Sequence, residues 1–132
     1  MEKPSMTTRF SRLLALALLG LGSACAAQAQ VVISQVYGGG GNTGAPYTND
    51  FIELTNLGTS PVDVTGWSVQ YASSAGSSWS VTALSGSIAP GKYYLVQEAA
   101  GANMPAPLPA PDATGTIAMS ATAGKVALSN AS

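Results

Sequence analysis

Histidine is absent from all 132 residues and charged side chains make up only 8 % of them, so the groups able to do chemistry can be weighed one by one. Without imidazole there is no Ser-His-Asp or Cys-His nucleophile pair, no imidazole general base and no His-ligated zinc or iron. The single cysteine, Cys25, stands among small residues close to the N-terminus. It falls inside a segment that is expected to be removed, and its loss excludes thiolate metal sites as well. Carboxylate chemistry and hard-cation binding remain.

Beyond that segment the acids are Asp50, Glu53, Asp63, Glu98 and Asp112. Glu53 with Asp50 or Asp63 is the one pair that suggests a minimal carboxylate hydrolase. Such pairs need carboxyls about 5 to 9 Å apart across a sugar-sized cleft, whereas Glu53 falls on the polar side of a short alternating stretch. Asn42, Asn49, Asp50 and Glu53 supply oxygens that a Ca²⁺ ion accepts. The EF-hand spacing is missing, and such side chains in a loop ordinarily cap turns by bonding to backbone NH groups. No other cofactor is expected. Tyr47 and Trp79 are loop aromatics, suited either to a carbohydrate or protein contact or to covering the rim of the core. Gly38 to Gly41 lacks the Gly-Lys-Ser/Thr ending of a phosphate loop and reads as a flexible connection.

The elements that must position these residues are short strands. Val31 to Tyr37 (VVISQVY) is β-branched and stops at the glycines; Phe51 to Leu57 alternates, with Ile52 and Leu54 on one side and Glu53 and Thr55 on the other. Val62 and Val64 have the opposite parity from Trp67, Val69 and Tyr71, which predicts a bulge or bend at Gly66. Trp79 with Val81, Tyr93 to Glu98, Thr116 to Met119 and Lys125 to Ser129 complete the set. One tyrosine of the Tyr93-Tyr94 pair must face outward. Pro105, Pro107, Pro109 and Pro111 force an extended loop before Asp112. Sustained helical periodicity is lacking in residues 30 to 132, so the fold class expected is all-β, a sandwich or barrel.

The N-terminus has a different composition. Lys3, Arg9 and Arg12 precede the apolar run Leu13 to Leu21, and Ala27-Gln28-Ala29 forms a cleavage-like triplet. Residues 1 to 29 are therefore expected to be a signal peptide and the exported product to begin at Gln30. The run is shorter than the ~20 apolar residues that a membrane-spanning helix needs. Gly22-Ser23-Ala24-Cys25 faintly resembles a lipoprotein box, the competing mode of export. Residues 30 to 132 suit one domain, near the common size of about 100 to 150 residues. Their acids outnumber Lys92 and Lys125, and they contain no arginine. Direct nucleic-acid binding is not expected from such a surface.

The succession VVISQVYGGGGN, YTNDFIELTNLGTSPVDVTGWSVQY, SWSVTALSGSIAPGKYYLVQE and GTIAMSATAGKVALSN resembles the lamin-tail domain, in the form carried by secreted bacterial proteins beside nuclease or phosphoesterase domains. Its most specific portion is Asn49-Asp50-Phe51-Ile52-Glu53-Leu54 followed by Val62-Asp63-Val64-Thr65-Gly66-Trp67. The resemblance implies an immunoglobulin-like β-sandwich without catalytic residues. It also implies that the chain stops before a final strand that the family normally carries, as a truncated gene, a fragment or a domain parted from its enzyme would. Within the motif, Asn49 and Asp50 read as turn caps, Ile52 and Leu54 as core, and Trp67 after Gly66 as filling between sheets.

The function expected is a non-catalytic exported module, either accessory to a secreted nuclease or phosphoesterase, or a free-standing adhesion or structural domain. Its partners would be a catalytic domain, a cell-surface component or an extracellular polymer. The location expected is extracellular or periplasmic. When the full chain is expressed in an exporting host, N-terminal sequencing and intact mass of the product should place its first residue at Gln30. A diacylated product starting at Cys25 would identify the lipoprotein route instead.

Overall fold

The computed structural model describes residues 30–130; the expected signal segment and Cys25 lie outside them. Nine strands follow one another without a helix among the described residues: β1 (Val31–Tyr37), β2 (Asn49–Asn56), β3 (Val62–Asp63), β4 (Ser68–Ala72), β5 (Ser80–Ala83), β6 (Ser87–Ile88), β7 (Tyr93–Ala100), β8 (Ala113–Thr114) and β9 (Lys125–Ser129). The first sheet has the order β1-β2-β7-β8, the second the order β5-β4-β9, and β3 pairs with β6 in a small ribbon. All pairings are antiparallel except β7 with β8. The result is an all-β, immunoglobulin-like sandwich.

Alternation builds the core from both sheets. Val31, Ile52, Leu54, Tyr94 and Val96 come from the first sheet, Val69 from the second and Ile88 from the ribbon, while Val64, Leu84, Ile117 and Met119 enter from the connections. Burying an aliphatic side chain such as Ile52 or Leu54 stabilises the fold by roughly 1.5–3 kcal/mol. Trp67, Tyr71, Val126 and Leu128 close the layer as half-buried neighbours. Of the adjacent tyrosines, Tyr94 is buried and Tyr93 exposed. The Tyr94 hydroxyl donates to the Ser85 carbonyl at 2.7 Å, so its polar end is satisfied where the ring is buried. Asn56 is fully buried and satisfied at both ends: Nδ2 donates to the carbonyls of Ser60 and Ile88 at 2.8 Å, and Oδ1 accepts from Gly58 N at 2.8 Å.

The bend expected at Gly66 takes the form of a corner: its φ of 84° and the 2.9 Å bond from Trp67 N to the Val64 carbonyl turn the chain from the ribbon into the second sheet. Two other expectations change. Val81 is 57 % exposed, while Thr82 and Leu84 are the buried residues of that stretch. β5 is thus turned the other way from the apolar reading of Trp79 and Val81, because Val81 and its cross-strand partner Gln70 share the outward side. Thr116 to Met119 is not a strand. It is an extended crossing that buries Ile117 and Met119 yet forms no ladder of its own.

The glycines around this crossing are chosen for closeness. A Cβ on Gly115 would strike the Thr82 hydroxyl and the Glu98 carboxylate, and one on Gly40 would strike the backbone of Asn49 and Asp50. The Gly38 to Gly41 run is therefore packed against its neighbours, whereas sequence alone suggested a loose connector. Gly115→Ala should destabilise the domain by about 1–3 kcal/mol through overpacking, read by denaturant unfolding. Thr116→Ala, one residue on and exposed, should change stability by less than about 0.5 kcal/mol.

Candidate binding face

β2 carries the residues singled out in the sequence, and its two-residue period sends them to opposite sides. Asp50 turns inward and is 4 % exposed, whereas Glu53 turns outward and stays half-buried. Asp50 does not cap a local turn. Its Oδ1 accepts from Gly40 N at 2.6 Å and its Oδ2 from Met119 N at 2.7 Å, bonds that reach far along the chain in both directions. Asn49 likewise reaches across, donating from Nδ2 to the Glu98 carbonyl at 2.9 Å. Asn42 borders the same depression as Asp50, while Glu53 lines a separate groove. The four candidate calcium residues are thus not brought to one point, and no group of three or more acidic, Cys or His side chains gathers among the described residues. Neither hydrolase pairing gains a cleft: Asp50 faces away from Glu53, and Asp63 accepts from Thr65 N on the exposed ribbon.

Sequence reasoning overlooked Glu98, although its parity with Tyr94 and Val96 pointed inward. A register shift between Asn49 and Phe51 sets Glu98 and Ala99 opposite Asp50. Glu98 is 1 % exposed; Oε2 accepts from Ile117 N at 2.9 Å, and Oε1 is buried without a hydrogen-bond partner among the described residues. Burial holds the Glu98 carboxyl above the ordinary glutamate range, and the nearby Asp50 charge adds to the rise; the Thr82 hydroxyl and Ile117 N oppose it. Asp63, on the surface, is held low by the Thr65 hydroxyl and NH.

Outward from β2 lies a groove of about 190 Å³. Gln35 and Glu53 are cross-strand partners there, and Phe51, Leu95, Leu108 and Pro109 form its apolar walls. Tyr47 completes the rim at 38 % exposure. Its ring is fixed edge-on to Tyr37 (centroids 6.0 Å, 89°) and to Phe51 (6.1 Å, 81°), which themselves stack at 5.2 Å. Ser34, displaced by the register shift between Ile33 and Gln35, donates to Glu53 Oε1 at 2.7 Å and orients the carboxylate. Gln35, Tyr37, Phe51 and Leu95 were not singled out in the sequence, since only the pairing register collects them. Trp79 is placed elsewhere, before β5 of the second sheet, with Lys125 Nζ 5.6 Å above its ring.

Two outcomes follow for the buried acids. Asp50→Asn keeps one acceptor and sets an NH₂ against a backbone NH, so it should destabilise the fold by about 2–4 kcal/mol in chemical denaturation. For Glu98 the raised native value means that the folded chain binds the proton more tightly than the unfolded chain does. Its contribution is present in full below the ordinary glutamate range and is lost as pH rises through the raised native value. Glu98→Gln cannot ionise, so its melting temperature relative to wild type should climb from pH 4 to pH 8; Asp63 is common to both proteins and cancels.

A search of the curated proteins gives no match. The Lamin Tail Domain model matches residues 25–132, which covers the whole described sandwich, including the corner at Gly66 and both faces of β2. That family is one of immunoglobulin-like, binding-type domains, and the chain belongs to it.

Proposed function

We propose that this chain is an exported, non-catalytic binding and positioning module that serves as accessory domain to a secreted nuclease or phosphoesterase. The observation that carries the reading is where the carboxylates spend their lone pairs. Asp50, Asp63, Glu98 and Asp112 accept from backbone NH groups, and Glu53 accepts from Ser34. Acids engaged in this way hold the chain in place, and none is paired with a second carboxyl across a cleft. Family membership and the absence of histidine point the same way. What the fold offers to a partner is the rigid outer side of the first sheet. Among the described residues no helix is long and apolar enough to cross a membrane.

The product exported from the full chain should show no turnover of DNA, RNA, phosphodiester or glycoside substrates. Joined to a nuclease domain, it should raise cleavage of DNA held on a cell envelope while leaving cleavage in free solution unchanged. Hydrolysis by the unfused chain that disappears in Glu53→Gln would overturn the proposal.

A further inference from the structure

We propose that the groove on the outer side of the first sheet is a subsite for a neutral, hydroxyl-rich sugar ring. The inference rests on the binding-module reading and names the ligand class of its face. Three features lead to it. The Tyr47 ring is partly open to solvent and already immobilised by its edge contacts with Tyr37 and Phe51. A fixed ring offers apolar area at little entropic cost. Leu95 and Pro109 extend that area along the groove. The C–H side of a pyranose is the matching surface.

The polar groups fit the other side of such a ring. Gln35 and Glu53 face outward as direct partners across β1 and β2, so an amide and a carboxylate lie side by side. Together they accept from and donate to adjacent hydroxyls. Ser34 keeps Glu53 in one orientation, as a site that reads hydroxyl positions requires.

Competing ligands meet specific obstacles. Glu53 is the single charged residue of the lining, which holds no cation among the described residues, so phosphate, sulfate and uronate groups are repelled. An added peptide strand needs unpaired backbone groups. β2 and β7 under the groove have neighbours on both sides, and the edge that β1 leaves lies beside the groove and not in it.

The test uses the product exported from the full chain and calorimetric titration with cellopentaose, xylopentaose and mannopentaose. At least one should saturate. Tyr47→Ala should weaken it by about tenfold or more, as truncating an aromatic anchor does, and Tyr47→Phe should restore it. Glu53→Gln should weaken it by about three- to tenfold, and Trp79→Ala should leave it unchanged. Thermal unfolding of each variant separates lost binding from lost folding.

Saturation that survives both Tyr47→Ala and Glu53→Gln would overturn the site. Tyr47-dependent binding of pentagalacturonate, chitosan pentamer or a proline-rich peptide, with none of the neutral sugars, would overturn the ligand class while leaving the module reading intact. Silence with every neutral sugar at millimolar concentration would overturn the inference, whereas the module reading fails only by the turnover assay above.

Discussion

Two buried carboxylates do the work of a missing β-ladder. Between β8 and β9 the chain must leave the first sheet and reach the second, and over Gly115 to Ser120 it has no strand partner for most of its NH groups. Gly115 N donates to the Gln97 carbonyl, Ile117 N to Glu98 Oε2, Met119 N to Asp50 Oδ2 and Ser120 N to the Tyr71 hydroxyl. Gly115, Ile117 and Met119, every second residue, are thus caught by β7 and β2, and Ser120 by β4; the side chains of Ile117 and Met119 enter the core. A buried NH left unpaired would cost about 1–3 kcal/mol. The carboxylates avoid that cost at two successive points where no strand can.

The same device ties down the far end of β1. Asp50 Oδ1 takes Gly40 N while Oδ2 takes Met119 N, so one side chain fixes the glycine run and the crossing together. Asn103 then donates from both N and Nδ2 to the Gly41 carbonyl at 2.9 Å, and Gly101 N donates to Thr48. The loop that carries Tyr47 is in this way braced from two sides. Thr48 N adds a bond to Ala106 at 2.8 Å, which anchors the proline-rich stretch along the groove. A ring on a loop becomes as well placed as one on a strand.

Residue alternation made the sandwich legible before any coordinates: Ile52 and Leu54 against Glu53, Tyr94 against Tyr93, the strands that end at glycine. It misled where an apolar residue faces outward, as Val81 does, because parity within four residues cannot say which side is the core. Trp79 and Tyr47 looked alike as loop aromatics, and only the sheet order separates them. Asp50 and Asn49 looked like local caps. Their actual partners are remote in sequence, and nothing in a short window encodes a bond between Asp50 and Met119. Glu98 was readable in principle, since Tyr94, Val96 and Glu98 share one parity, but an acid on an apolar face is ordinarily read as the end of burial. The groove was the least legible feature, for it exists only after β1, β2 and β7 are in register.

Glu98 is a buried acid whose surroundings are architectural. A buried acid is commonly no more stabilising than an apolar side chain of similar volume, and Oε1 lacks a partner. An apolar residue in its place would leave Ile117 N orphaned, and a Cβ on Gly115 already has no room beside the carboxylate. The acid is retained for one acceptor oxygen at one place, and its elevated titration is the consequence. In an enzyme a carboxyl raised in this manner would open onto a cleft and pass its proton to a substrate. In this chain it faces the underside of its own crossing segment, with Thr82 and Asp50 as neighbours. Titration of Glu98 therefore couples to folding, and molecular recognition is left to the opposite side of β2, where Glu53 meets solvent.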